Sequence, residues 1–250
     1  MGGVARRATK IAQERQKGGS FLLLDAGDSL ANDQDPARKT KGQSSVAVMN
    51  MMAYDAMALG PLDLALGLTA LRQAQAMAKF AMLSANAVVS ATGQPVVDPY
   101  VLRKFGDHTV AIIGLSGGRG NKEIAVRDPL KTAQTVVAEV AKQADVIILL
   151  SHAGAELDQQ IANSVPGLDL IVSGGGAVIS APRGSEKTGT IILRADQASP
   201  SHAGLALGIG KFTFDPAGKL AKSNWQLVRL SPEIADDPTV ATWVQQQRSQ

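Results

Sequence analysis

Short apolar runs alternate with stretches of helical periodicity along most of this chain, and that alternation commits it to an α/β architecture. The most strand-like run is Asp145-Val-Ile-Ile-Leu-Leu150, and a helical stripe at Ala133, Val136, Val137, Val140 and Ala141 leads into it. Further strands are expected at 21–24, 54–59, 80–85, 109–115 and 168–172. Helices are expected through Val4, Ala8, Ile11 and Ala12, over 45–52, through Leu64, Leu68, Leu71 and Ala78, and around Leu157 and Ile161. After residue 188 the texture changes. Residues 190–194, 205–214 and 225–230 read as antiparallel strands, with a turn at Asp215-Pro-Ala-Gly218. Asp237 reads as the N-cap of a closing helix with Pro238 in its first turn and Val240, Trp243 and Val244 on one face. No internal repeat or low-complexity linker divides the 250 residues. The expectation is one α/β domain over 1–250, a layered sandwich of mixed β-sheets flanked by helices.

Composition removes several classes of function. There is no cysteine, which excludes disulfides, thiolate catalysis and cysteine-based zinc sites. A formal net charge of +3, with no dense Lys/Arg stripe interleaved with aromatics, argues against a nucleic-acid partner. Arg6, Arg7, Lys10, Arg15 and Lys17 read as the solvated face of the first helix. No run is long enough for a transmembrane helix, and no signal peptide is visible. A chain cut after a secretion signal would open in this way.

Three runs each follow a strand-like segment, where an α/β sheet places its functional loops. They are Leu24-Asp25-Ala26-Gly27-Asp28, Leu59-Gly60-Pro61-Leu62-Asp63 and Val172-Ser173-Gly174-Gly175-Gly176-Ala177. With their surroundings they resemble the N-terminal domain of the 5'-nucleotidase family of calcineurin-like metallophosphoesterases. The first helix, from Gly2 to Ile11, looks like the family's G-G-x-A-R-x-x-T-x-I. Leu24 to Asp28 is similar to its L-D-A-G-D run, and Met82 to Asn86 to its L-S-A-N run. Ile148 to His152 resembles the strand ending in S-H, and Val165 to Val172 the V-P-G-I-D-L-I-V strand. Residues 208–218 resemble the family's late hairpin. The match runs in order through nearly the whole chain.

The resemblance implies a phosphoester hydrolase with two divalent ions such as Zn or Mn, and this chain departs from it at the ligands. The family begins with a strand ending in D-x-H, which supplies two ligands; that strand is missing from this chain. The second family motif reads G-N-H-E/D, but here Pro61 takes the place of the metal-binding Asn. Leu62 takes the place of the His that donates a proton or stabilises phosphate charge. The third reads G-G-H-x-H, and Gly175 and Ala177 stand where two His are expected. Of the implied ligands, Asp28 (the bridging carboxylate) and His152 remain, as vestigial positions, and Asp63 is a candidate third, weak ligand. The family's separate C-terminal substrate domain is also absent. Two-metal hydrolysis needs two ions about 3.5–4 Å apart, each with several imidazole or carboxylate ligands. One Asp and one His cannot hold both. The expected assignment is therefore no catalytic residue, no metal or other cofactor, and a binding or scaffolding role with a protein partner or small ligand. The alternative is a residual metal-dependent hydrolase acting on nucleotides. The family also suggests a periplasmic or cell-surface location.

Each residue has a plainer reading. Asp28 could cap the segment after its strand, and His152 could be a hydrogen-bonded histidine at a loop start. His108 and His202 read as solvated loop residues. The glycine clusters 114–120 and 174–176 could cradle an anion with backbone N–H groups, but they match no phosphate-loop motif. They read instead as a flexible loop and as filling for vacated ligand space. Gly27-Asp28-Ser29-Leu30 also spells the signature of a serine esterase family, with Ser29 as nucleophile. That family needs a late D-x-x-H, and no Asp lies three residues before His108, His152 or His202.

Overall fold

The structure, a computed structural model, describes residues 3–31, 35–175, 181–195 and 204–248. In chain order these form α1 (Val4–Gln16), β1 (Leu24–Asp25), α2 (Gln43–Met51), β2 (Ala56–Ala58), α3 (Pro61–Ala65), α4 (Gly67–Met77), β3 (Ala81–Leu83), β4 (Ala87–Val89), β5 (Tyr100–Phe105), β6 (His108–Leu115) and β7 (Ile124–Val126). There follow α5 (Pro129–Val140), β8 (Val146–Ser151), α6 (Ala155–Ser164), β9 (Leu170–Ser173), β10 (Arg183–Gly184), β11 (Ile191–Leu193), β12 (Ala206–Phe214), β13 (Leu220–Arg229) and α7 (Pro238–Arg248).

Two sheets lie face to face. One has three parallel strands in the order β1-β2-β3, and the other has six in the order β10-β11-β9-β8-β6-β5. Strands β6, β8, β9 and β11 run parallel, and β5 and β10 close the two edges antiparallel. Every residue of β8 is buried, as expected for a central parallel strand covered on both faces. Between the sheets, Ala56, Ala58 and Leu83 pack against Ile112, Ile148, Leu150 and Leu170. Outside the larger sheet, α5 and α6 bury Ala133, Val137, Val140 and Ile161 against Ile113, Leu149 and Ile171. Outside the smaller sheet, α1, α2, α4 and α7 enclose Ile11, Val46, Leu71 and Val240 with Met57, Leu59 and Met82. The result is the expected mixed-sheet α/β sandwich with helices on both outer faces. The sheets are in close contact because the facing residues are small. A Cβ on Gly114 of β6 would overlap the backbone and side chain of Leu83 in β3.

The structure corrects several local expectations. Of the basic residues read as a solvated face, Lys17 is exposed, while Arg6, Arg7, Lys10 and Arg15 are partly buried. Arg15 donates to the carbonyls of Met52 and Ala53, both at 2.6 Å, and stacks 5.0 Å from the Phe21 ring centroid. Arg6 reaches Asp236 at 3.5 Å, and Lys10 and Lys17 both pair with Glu14. Long cationic side chains here bind carbonyl oxygens and carboxylates while their stems cover apolar surface. Residues 190–194 do not join the late antiparallel strands. Their strand, β11, lies parallel to β9 and extends the large sheet. The helix expected through Leu64 to Ala78 is two helices, because Gly67 takes φ +82° between α3 and α4. The closing hairpin β12–β13, its Asp215 turn and the Asp237 N-cap on Val240 at 2.9 Å form as the sequence predicts.

Gly114→Ala is expected to lower stability by roughly 2 kcal/mol or more, the order seen when a packed core is overfilled. Denaturant unfolding of the variant measures it, and an unchanged midpoint would contradict the inter-sheet contact described here.

Candidate functional site

The loops after β1, β2, β8 and β9 all leave the carboxyl ends of their strands, and they meet at one end of the sandwich. Asp28, Asp63, His152 and Gly175 come together there. Asp63 is fully buried at the third position of α3. Its Oδ2 accepts from the N–H groups of Gly60 (2.9 Å) and Asp28 (2.7 Å), and its Oδ1 from Leu30 (2.9 Å) and Ala31 (3.3 Å). Asp63 thus caps its own helix and clamps the β1 loop. Pro61 at the first helical position has no N–H to satisfy, which suits it to this tight start.

The clamp holds Asp28 at φ +60°, a left-handed conformation uncommon outside glycine. In that pose its carboxylate turns inward. Oδ1 accepts the N–H of Leu62 at 2.8 Å, and Oδ2 lies 3.0 Å from Nε2 of His152. The other ring nitrogen of His152, Nδ1, lies 2.8 Å from the carbonyl oxygen of Ala26. Both ring nitrogens therefore lie within hydrogen-bonding distance of an oxygen, Nδ1–H donating to the Ala26 carbonyl and Nε2 facing the Asp28 carboxyl. Glycines wall the ring. A Cβ on Gly174 would stand 2.6 Å from Nδ1, one on Gly175 2.7 Å from Nε2, and one on Gly27 3.1 Å from Nδ1. Gly174 and Gly175 thus lie against the imidazole and leave no open ligand space between. Gly176 and Ala177, like His202, lie outside the described residues. Leu62, 52% exposed, sits at the rim with its backbone N–H turned to Asp28.

Beneath this pair is a second buried polar group that sequence reasoning missed. Asp158 of α6 accepts from Ser151 at 2.5 Å and from Ser173, and Arg194 lies 3.8 Å away. It ties the ends of β8, β9 and the chain after β11 together. A carboxylate between Leu157 and Ile161, on a helix expected to face the core, was the available signal. Asn86 forms another such knot. It donates to the Ser116 carbonyl and accepts from Ser116 N–H, both at 2.8 Å, while the Ser116 hydroxyl donates to Leu59. This anchors the start of the 114–120 glycine segment. A Cβ on Gly117 would collide with the His152 carbonyl, so residues 114–117 are packed, while Gly118, Arg119 and Gly120 are exposed. Ser29 donates to both oxygens of Asp25 at 2.8 Å, and His152 is engaged with Asp28, so among the described residues no histidine serves Ser29 as a base.

Electrostatics follow the burial. Burial pushes the Asp63 carboxyl up to about 7; N–H donors pull against this and the neighbouring Asp28 charge adds to it. For His152, burial disfavours the charged ring, but the hydrogen bond and charge of Asp28 outweigh it and raise the pKa above its ordinary value. Burial likewise raises Asp158, against the pull of Ser151, Ser173 and Arg194.

The donors among the described residues do not fit a dinuclear metal centre. Each oxygen of Asp28 and Asp63 already accepts a hydrogen bond or ion pair, and both imidazole nitrogens are turned to protein acceptors. Among the described residues, no group of three or more His, Asp or Glu is placed to hold a metal ion.

Comparison with known proteins supplies the relationship. The chain is 32% identical over 277 aligned positions to a snake venom 5'-nucleotidase of Naja atra, covering 100% of this chain and 51% of that protein. It is 30% identical to the 5'-nucleotidase of Homo sapiens, over 96% of this chain and 46% of that one. The chain thus spans about half the length of the curated relatives it matches. A 5'-nucleotidase precursor from Thermus thermophilus superposes with a TM-score of 0.87 at 26% identity, covering 99% of this chain and 53% of that one. The fold is also shared with the sulfate thiohydrolase SoxB of the same genus, at TM-score 0.89 and 23% identity, over 100% of this chain and 47% of that one. No family model matches the chain. The chain belongs to the 5'-nucleotidase family, as its N-terminal, calcineurin-like metallophosphoesterase domain.

Two outcomes follow for the site. Asp63→Ala removes the acceptor for four N–H groups, two of them in buried bonds, and is expected to cost about 3 kcal/mol or more, read by denaturant unfolding. Stability should also fall with rising pH. The raised pKa of His152 makes its contribution full below the unfolded value of about 6.5 and lost as pH climbs through the folded value. Asp63, raised from 3.8 to about 7, loses stability over that interval in the same direction. Melting temperature should therefore be lower at about pH 8.5 than at about pH 5.5, with a shallower slope in His152→Ala.

Proposed function

We propose that this chain is a non-catalytic member of its family, a single domain that keeps the phosphoesterase frame for binding or scaffolding. The observation that carries the reading is the Asp28–His152 pair. The two side chains retained from the expected metal set are bonded to each other at 3.0 Å. Turnover would need a metal cage, a group to stabilise charge on the phosphate, and a grip on the substrate. Pro61 and Leu62 bring no side-chain donor to the first two, and Gly175 brings none either. The partner is read as a protein or small ligand and not a nucleic acid, since the charge is small and unpatterned. No helix among the described residues is long and apolar enough to cross a membrane. An exported, periplasmic or cell-surface setting belongs to the same reading, supported by the venom relative.

The relatives' names make nucleoside monophosphates the substrates to try. The purified chain is expected to hydrolyse neither these nor an aryl phosphate above background with added Mn or Zn, and to carry no stoichiometric pair of metal ions by elemental analysis. Metal-dependent turnover that disappears in a folded Asp28→Ala/His152→Ala double variant would instead establish the residual hydrolase. Turnover that survives the double change would belong to a contaminant or another site. Losing about 1.4 kcal/mol of transition-state stabilisation already costs tenfold in rate, so the assay discriminates sharply.

A further inference from the structure

The helices outside the smaller sheet present a face that is nearly free of charge. It is built from α2, α4 and α7, with α2 packed against both of the others. Among the described side chains of these three helices Arg72 alone is charged, whereas the neighbouring α1 carries Arg6, Arg7, Lys10, Glu14 and Arg15. The exposed polar residues are neutral, with amides at Gln73, Gln75, Gln245 and Gln246. Met51 and Met77, 40% and 43% exposed, are two of the three large apolar side chains that stand open to solvent among the described residues. Asn50, beside Met51, donates its amide to the Met77 carbonyl at 2.9 Å, which brings the two helix ends together. A cavity of about 500 Å³ opens between the end of α2 and α7, lined by Met51, Pro238, Thr239, Thr242, Trp243 and Gln246. Met51 and Met77 close the helices that lead into β2 and β3. They therefore lie at the amino ends of those strands, opposite the loops that carry Asp28 and Asp63.

We propose that this face is a dimer interface, occupied by the same face of a second copy of this chain. Depletion of charge with Met and Trp at the centre is the composition of an interface core, where ordinary surface is rich in Lys and Glu. What selects a second copy is self-complementarity. Across a two-fold axis every residue near the axis meets its own counterpart. Like charges repel there, so a face rich in one charge cannot pair with itself. A chain of net charge +3 is repelled least through the face that carries almost none of it. An amide, by contrast, holds a donor and an acceptor in one group and can bond to an identical group. The fold already uses that pairing between α2 and α4, where Gln43 Nε2 donates to Gln73 Oε1 at 3.3 Å. Size is sufficient as well. Helices α4 and α7 have 11 residues each, and so run about 16 Å. Three helices spaced about 10 Å apart make a face of roughly 16 by 30 Å. With side-chain relief this is on the order of the 800 Å² per partner that a standard interface buries. The dimer would leave both Asp28 sites open at the far ends, and it stands or falls independently of the non-catalytic reading.

Sedimentation of the purified chain over a concentration series tests it. The mass should rise from 26.0 kDa toward twice that value, with half-association below about 200 µM. Met51→Lys and Thr242→Lys each place a charge on the face at an exposed position, and each should weaken association by about tenfold or more. Leu62→Lys, at the third exposed apolar side chain, should leave it unchanged. Circular dichroism confirms that each variant is folded. A second readout uses the absence of cysteine from the chain. A spin label on Met77→Cys should report a label on the other copy within about 40 Å across the axis, and one on Leu62→Cys a longer distance, since a dimer axis on this face puts both Asp28 sites on its outer ends. A chain that remains at 26.0 kDa to about 200 µM overturns the proposal and leaves the face to a different protein. A dimer that survives both lysine substitutions, or one in which the Leu62 labels are the closer pair, overturns it equally.

Discussion

The carboxylate of Asp63 is the fixed point from which the site is built. It is completely buried, and every contact it makes to the loop after β1 is a backbone N–H of Asp28, Leu30 or Ala31. The same carboxylate caps α3 through Gly60. One side chain thus joins the ends of two adjacent parallel strands, satisfying donors that would otherwise be buried without partners. Such a group is costly to remove because the penalty falls on all its donors at once.

From that clamp the rest of the site follows. Asp28 is forced into a left-handed backbone conformation, which turns its side chain toward Leu62 and His152. Strained conformations of this kind persist only where the surroundings over-determine them. His152 is positioned by a different device: Ser151 before it is pinned to Asp158, and its ring is closed in by glycines from two loops. Two independently braced strand ends therefore bring a carboxyl group and an imidazole into contact. A buried ion pair with every hydrogen-bonding position filled is strongly destabilised by loss of either partner.

The same rigidity explains why the expected ligand positions behave as they do. Glycine at 174 and 175 lets the chain run directly over the imidazole, where any side chain would collide with it. Gly114 lets the two sheets approach at Leu83, bringing the strand ends of both to the same edge. The site's geometry is thus a property of sheet packing, and its chemistry is a property of which side chains remain to occupy that edge.

By itself the sequence determined the order of strands and helices, the mixed-sheet sandwich and the convergence of the loops after β1, β2, β8 and β9. Those follow from periodicity and from apolar runs, which are local and physically redundant. It also marked Asp28, Asp63 and His152 as the residues to examine. What it left open was how these residues are spent. Asp63 read as a candidate ligand, and the fold gives both its oxygens to backbone donors, because the number of N–H groups reaching a carboxylate depends on loops distant in sequence. Arg15 read as solvated, and the fold places two carbonyls against it. Residues 190–194 read as part of a late antiparallel unit, yet β11 pairs parallel with β9, a choice of neighbour that no local pattern encodes. Hydrogen-bond partners and charge neighbours are properties of tertiary proximity, and only the folded chain decided that Asp28 and His152 would answer each other.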